Sequence, residues 1–337
     1  MRPVMIRPKE ATLAVTYRCN SKCSMCNIWQ ISDFDDLPAE EYAKLPGSLR
    51  TINITGGEPF LRKDLMEVIR QIHKAAPDSR IVISSNGFLT DRIAQVMSEV
   101  QRFHPKIGIG VSVDGIGEVH DKVRGVKGSF EKAMATVKAV KALGINDIRL
   151  GMTIVPDNQH EVYEVYKLAK KLGVEFTTTV AHNSEIYFKK VDNTPRRTTD
   201  QLKTDLRRIG DDHLRSGTVK NWFRAYHLAG ITDDSMRSQS SKKCAAGDRF
   251  YFMDPAGQVY PCIVMDKVIG NIKNVKRFED LVPVEKAAEV RKAVRACKAD
   301  CWMVCNIRSL ISSHPSDSLV WILKNKPRAH VSRKSGS

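Results

Sequence analysis

No apolar run in this chain approaches the roughly 20 residues that span a bilayer. The opening residues, MRPVMIRPKE, lack the apolar stretch and small-residue cleavage site of a signal peptide. Internal repeats on a solenoid period and low-complexity segments are missing too, which excludes a solenoid or an extended polar tract. A soluble, cytoplasmic, globular protein is therefore expected. Acidic residues are in deficit, 38 against 54 Lys and Arg, leaving a net charge of +16. This surplus is spread along the chain and predicts attraction to anions, but nucleic acid, phosphorylated metabolites, nucleotide sugars and anionic lipid headgroups all satisfy it. Charge alone selects no substrate.

With 337 residues, the chain is long enough for one large α/β domain and a smaller appendage. Short β-branched runs at 11–18, 50–55, 80–85, 106–114, 147–155 and 174–181 alternate with helical patterns at 61–76, 89–103, 129–144 and 157–173. That alternation is the signature of βα units on a parallel sheet. Six units fall short of the eight that close a full barrel, so the fold class expected is α/β, a partial (β/α)6 TIM-like barrel with ligands at the strand C-terminal ends. After residue 182 the pattern breaks. The expected domains are a barrel core over 1–182, a helical, basic linker region over 183–240, a small α+β unit over 241–310 and a basic tail over 311–337.

Cysteine is not scarce. A reducing compartment makes the eight cysteines metal ligands or redox groups rather than a disulfide framework. Cys19, Cys23 and Cys26 sit just after the first strand, three thiolates on one short loop. A 4Fe-4S cube held by three cysteines leaves one iron open to an exogenous chelating group. A zinc knuckle is the competing reading, but structural zinc wants four protein ligands, which this loop alone lacks.

The string CNSKCSMC resembles the CxxxCxxC cluster motif of the radical S-adenosylmethionine (SAM) superfamily, with Met25 where an aromatic residue is usual. A soft, bulky Met still covers the apolar side of a cluster. The resemblance implies that SAM chelates the open iron. TGGEP, containing Gly56, Gly57, Glu58 and Pro59, is similar to the family's GGEP motif, whose backbone and glutamate would hold the methionine ammonium. By the same resemblance Ser85 and Asn86 contact the ribose or carboxylate, Ser112 and Arg124 contact SAM, and Thr153 and Ile154 pack on adenine. Asp114 is expected to face the substrate.

Cys244, twelve residues, Gly257, four residues and Cys262 form a second pattern, with DPAGQ reading as a hairpin turn. Cys297, Cys301 and Cys305 follow at spacings of four, which on a helix would line up along one face. This region resembles the SPASM and twitch extensions that bind auxiliary 4Fe-4S clusters. Five cysteines here match one auxiliary cluster, with Cys244, Cys262 and two of the other three as ligands, since two complete clusters would need eight. A structural zinc site with a spare thiol is the alternative.

The resemblance implies an enzyme that cleaves SAM to a 5′-deoxyadenosyl radical and abstracts hydrogen from a substrate, an oxidoreductase served by a flavodoxin- or ferredoxin-type reductant. The first strand starts by residue 11, which leaves no room for the N-terminal peptide-recognition domain common in peptide-modifying members. The expected substrate is thus an anionic small molecule, sugar or lipid, with a ribosomal peptide maturase as the alternative. A cluster-bearing regulatory or nucleic-acid-binding protein is a further class, disfavoured by the complete SAM-cradle series. In the tail, Leu319 to Leu323 form an apolar run followed by Lys324, Lys326, Arg328, Arg333 and Lys334, a pattern that suits peripheral contact with an anionic membrane; packing on the barrel is the competing view.

Overall fold

Six β-branched runs become strands in the expected order: β1 Glu10–Ala14, β2 Thr51–Thr55, β3 Arg80–Ser85, β4 Ile107–Ser112, β5 Ile148–Ile154 and β6 Glu175–Val180. The computed structural model describes residues 8–193, 198–241, 243–281, 283–299 and 301–331. The six strands pair in parallel, each with its sequence neighbour. Helices α1 Leu65–Ala75, α2 Thr90–Phe103, α4 Ser129–Ala142 and α5 Val162–Leu172 supply four of the five crossovers, the one from β1 to β2 running through the cysteine loop and two 3-10 segments, and a short α3, Glu118–Arg124, is added after β4. Strand β5 shows how the period of two sorts residues. Ile148, Leu150, Met152 and Ile154 are buried in the core cluster, whereas Arg149, Gly151 and Thr153 line the inner cavity.

The sheet does not stop at β1. Residues expected to form a separate unit extend it: β7 Phe250–Met253 pairs in parallel with β1, and β8 Gln258–Tyr260 and β9 Gly270–Asn271 follow antiparallel. The strand order is β6-β5-β4-β3-β2-β1-β7-β8-β9. A bare β1 would leave a row of unpaired backbone groups at the sheet edge, and the fully buried Phe252 and Met253 cover it. The expected hairpin is the one between β7 and β8, its turn closed by Asp254, whose carboxylate accepts from the backbone of Ala256 and Gln258.

The stretch after β6 carries α6 Asp200–Arg215, α7 Val219–Thr232 and α8 Asp234–Ser241; α9 Val284–Arg295, α10 Val304–Ser313 and α11 Pro315–Val331 complete the chain. Cys297, Cys301 and Cys305 do not share one helix face as expected. Cys297 follows the end of α9, Cys301 lies between helices, and Cys305 belongs to the first turn of α10. Trp302 explains the break. Its indole is buried, donates to the carbonyl of His227 at 2.6 Å, and presses so closely on α7 that a Cβ at Gly230 would stand 2.0 Å from the ring.

The tail is not an appendage. Ile322 and Ala329 of α11 are buried with Leu214 and Ala225 of α6 and α7, Arg215 donates to the carbonyl of Ala329 at 3.0 Å, and Lys326 lies 3.3 Å from the centre of the Trp222 ring. Packing therefore takes one face of the helix and leaves Leu319, Val320 and Leu323 exposed on the other. Arg333 and Lys334 lie outside the described residues. Among the described residues no helix is long and apolar enough to cross a membrane.

Candidate active site

The cysteine loop leaves β1 and is held from three sides. Beneath it, Gly57 and Glu58 donate backbone hydrogen bonds to the carbonyls of Thr16 and Arg18 at 2.8 and 2.7 Å. From the end of α3, the carbonyls of Arg124 and Val123 accept from Lys22 and Ser24, both at 2.9 Å. From the segment after β6, the Phe188 carbonyl accepts from Asn27 at 2.9 Å and from the Cys26 thiol at 3.7 Å. The approach at Gly57 is so close that a Cβ there would lie 2.2 Å from the Arg18 carbonyl oxygen. The Gly-Gly pair is thus required by the loop that crosses it.

Cys19, Cys23 and Cys26 line one cavity of about 370 Å³, together with Gly56, Gly57, Ser85, Asn86, Ser112, Arg124 and Thr153. That volume lies in the range of small-molecule sites. Burial raises the Cys19 thiol to about 12, with the neighbouring Cys23, Glu58 and Cys26 adding to the rise, and raises Cys26 to about 11. These are the pKa values of thiols without a cation; a metal ligand must be deprotonated, so iron binding would release their protons. The Cys23 sulfur also has Arg124 Nη1 as a donor at 3.5 Å and lies 3.1 Å from Ser21 Oγ, whose hydroxyl donates to the Arg124 carbonyl at 3.0 Å. Among the described residues no three ligand groups converge on one point to hold a single ion. Met25 is buried with Val123 and Val155 beside the cysteine loop.

Glu58 is fully buried, does not line the cavity, and accepts three hydrogen bonds: from Phe60 N at 3.2 Å, Ser85 Oγ at 3.0 Å and Asn86 N at 2.7 Å. Burial raises it to about 7 against those bonds. It therefore ties the loop after β2 to the loop after β3. Asn86 extends the tie, its amide donating to Asn20 Oδ1 on the cysteine loop at 2.7 Å. Pro59 starts a buried 3-10 turn beside them. Arg62, which nothing in the pattern marked, donates to the carbonyls of Val15 and Leu37 and pins the same corner.

Asp114, expected to face the substrate, is instead fully buried and paired with Arg124 at 2.6 Å, and it accepts from Thr153 N at 2.7 Å. Its carboxylate is the counter-ion that fixes the guanidinium beside Cys23. Ile154, expected on adenine, points its side chain into the core because it sits one residue out of phase with Thr153. Sequence reasoning also missed Tyr187, whose hydroxyl lies 2.6 Å from Thr55 Oγ1 at the cavity wall. Residues 183–190 fall within the stretch expected to be linker, and only the fold of this segment back over the cysteine loop reveals the role.

Two family models match the chain: the radical SAM superfamily over residues 13–169, and the SPASM iron-sulfur cluster-binding domain over 244–306. The chain belongs to the radical SAM superfamily. A relative named AdoMet-dependent heme synthase, from Oleidesulfovibrio alaskensis, is 26% identical over 79% of this chain and 72% of its own. The antilisterial bacteriocin subtilosin biosynthesis protein AlbA of Bacillus subtilis is 29% identical over 50% of this chain and 38% of its own. In fold, the chain is similar to Streptococcus suis SuiB bound to S-adenosylmethionine, with a TM-score of 0.64 at 14% identity over 86% of this chain and 68% of that one.

As a radical SAM enzyme with a SPASM domain, the chain uses a 4Fe-4S cluster, SAM and auxiliary iron-sulfur. The donor set fits the first of these: three thiols and no fourth on a loop that opens on a ligand-sized cavity. In the SPASM domain Cys262 is buried at the foot of the hairpin and Cys244 lies near enough to Cys297 for their charges to interact. Asn306 Nδ2 donates to the Cys301 sulfur at 3.4 Å, and the Ala299 backbone donates to that of Cys297 at 3.5 Å. Thiolate sulfurs accepting such bonds suit cluster ligands.

Proposed function

We propose that this enzyme is an oxidoreductase that uses radical chemistry on an anionic small molecule, sugar or lipid held in the barrel. When bound, cluster and SAM together supply reductive cleavage of the sulfonium to a 5′-deoxyadenosyl radical, the hydrogen-abstracting agent. The chain's part is to place and enclose. Cys19, Cys23 and Cys26 hold the cluster; the backbone of Gly56 and Gly57, Ser112 and Thr153 offer polar contacts to SAM from the cavity wall; Arg124, held by Asp114, sets positive charge beside Cys23. Glu58 acts behind them by fixing the loops, and Ser85 and Asn86, which hydrogen-bond to it, also line the cavity and would offer contacts to SAM. The auxiliary cluster, on Cys244, Cys262 and two of Cys297, Cys301 and Cys305, would accept the electron of the substrate radical left by hydrogen-atom loss, with a proton released to solvent, and a flavodoxin- or ferredoxin-type protein would supply the separate electron that reduces the cluster on Cys19, Cys23 and Cys26.

The observation that carries this reading is the single cavity that joins the three thiols to the polar inner faces of the strands. A peptide maturase is the second reading, favoured by the likeness to AlbA. The exposed Leu319, Val320 and Leu323 beside basic residues would add contact with an anionic membrane. Anaerobic incubation of reconstituted enzyme with dithionite and SAM should yield 5′-deoxyadenosine. No product from enzyme with full iron content would sink the proposal.

A further inference from the structure

The inner faces of the strands carry more charge than a lumen packed with apolar side chains would. Glu10 opens β1, Arg80 opens β3, Arg149 lies on β5, and α10 brings Arg308 against the same cavity. The nearby carboxylates are already engaged. Arg308 donates to Glu10 at 3.1 Å; Arg80 holds Asp147 by two bonds of 2.5 and 2.7 Å; Glu175, next to Arg149 across β6, is gripped by Lys220 and Arg224 of α7. Among the described residues Arg149 makes no ion-pair contact of its own; Asp147 and Glu175 attract it only through space. Among the described residues its Nε is sealed from solvent without a hydrogen bond. Its stem crosses β4 at Gly110, where a Cβ would stand in van der Waals contact, 3.4 Å from Arg149 Cγ. Burial, then repulsion from Arg80 and Arg308, lowers the guanidinium to about 10 against the attraction of Asp147 and Glu175. A cation kept in a place that disfavours it is costly to stability unless an anion arrives.

We propose that Arg149 is the substrate-recognition cation of this cavity and binds a carboxylate or phosphate group. The proposal deepens, and rests on, the reading of the cavity as the substrate site. Arg149 precedes Thr153 by four residues, about 13 Å along the strand at roughly 3.3 Å per residue. The thiols and Thr153 mark the reacting end of the cavity, and Arg149 marks the other. The substrate is therefore elongated, anionic at the end remote from the radical, with a polar body matched by Thr12, Asn53, Ser84 and Thr177 along the wall. A planar guanidinium suits a bidentate oxyanion.

The test uses full-length holoenzyme without SAM or reductant, titrated with sodium phosphate or sodium malonate at ionic strength held constant with chloride, and reads the thermal midpoint. Wild type and Arg102→Gln, an exposed change at the end of α2, should show the same saturable stabilisation. Arg149→Met should lose on the order of tenfold or more in apparent affinity, the usual worth of a charged hydrogen bond, while its anion-free midpoint rises above wild type. Arg149→Lys should keep part of the affinity, and it decides the matter should Arg149→Met fold poorly. The anion that saturates at the lower concentration identifies the substrate group as phosphate or carboxylate. Wild-type affinity in Arg149→Met or in Arg149→Lys, or no saturable response of wild type to either anion, would overturn the proposal. Formation of 5′-deoxyadenosine by wild type is measured separately; its failure would strike the catalytic reading and leave the anion result to stand or fall by itself.

Discussion

Arg124 and Asp114 are the residues on which the cluster loop's electrostatics turn. Asp114 is completely buried, so removing Arg124 takes away its counter-charge and leaves the carboxylate with the Thr153 backbone donor. Arg124→Ala should destabilise the protein by about 3–5 kcal/mol, and the double variant Arg124→Ala with Asp114→Asn should recover a large part of that loss in thermal melts. Recovery separates the ion pair from simple packing. Glu58 makes a second case, with a sign that runs against habit for a carboxylate. Its folded pKa of about 7 lies above its ordinary 4.5, so between those values the folded state binds the extra proton. Stability from this group is present below pH 4.5 and is lost as pH rises through 7. Across that window the wild type should lose on the order of 3 kcal/mol relative to Glu58→Gln, which has no proton to lose. Parallel pH profiles for the two proteins would refute the assignment.

Among the elements, the six parallel strands were legible because β-branched runs bounded by turns leave a local mark, and the helices because their apolar positions recur on one face. What was illegible had its partner elsewhere in the chain. Arg149 in DIRLGMTIV reads as an ordinary polar residue on a strand until the neighbouring carboxylates are found to be taken. The pairing of Asp114 with Arg124 was hidden because both looked like ligand contacts, and the break between Cys297 and Cys305 depends on Trp302 meeting α7. The same limit applied to α11, whose apolar run serves two faces. Truncation before Ser318 removes Trp321, Ile322 and Ala329 from the α6–α7 surface, so the thermal midpoint should fall by several degrees, since each buried aliphatic or aromatic side chain is worth about 1.5–3 kcal/mol. Liposome sedimentation on the full-length Leu323→Asp variant, which spares that packing, then reads the exposed face alone; binding to anionic vesicles equal to wild type would remove the membrane contact from consideration.

For the whole molecule, the cysteines fall into two groups, one on the loop after β1 and one around the β7–β8 hairpin and α9–α10. Cys19→Ala, Cys23→Ala or Cys26→Ala should each abolish SAM cleavage while the protein keeps about four irons at the SPASM domain. Equal loss of all iron from every variant would mean that the groups share one site. The groups belong to different domains by sequence, yet to one sheet, since β7 hydrogen-bonds to β1 along Glu10–Leu13. That junction shapes how the protein must be made. During synthesis β1 emerges early and finds β2 within tens of residues, but its other edge waits for Phe250. At about 5–20 residues per second, the ribosome takes on the order of 12–47 s to cover the stretch between Ala14 and Phe250. For that interval the nascent barrel carries an open parallel edge, and long-range pairing of this kind is slow to close. The strand that ends at the interior of the finished sheet is thus an edge while the chain is being made, and β1 is the place where mispairing during synthesis would start.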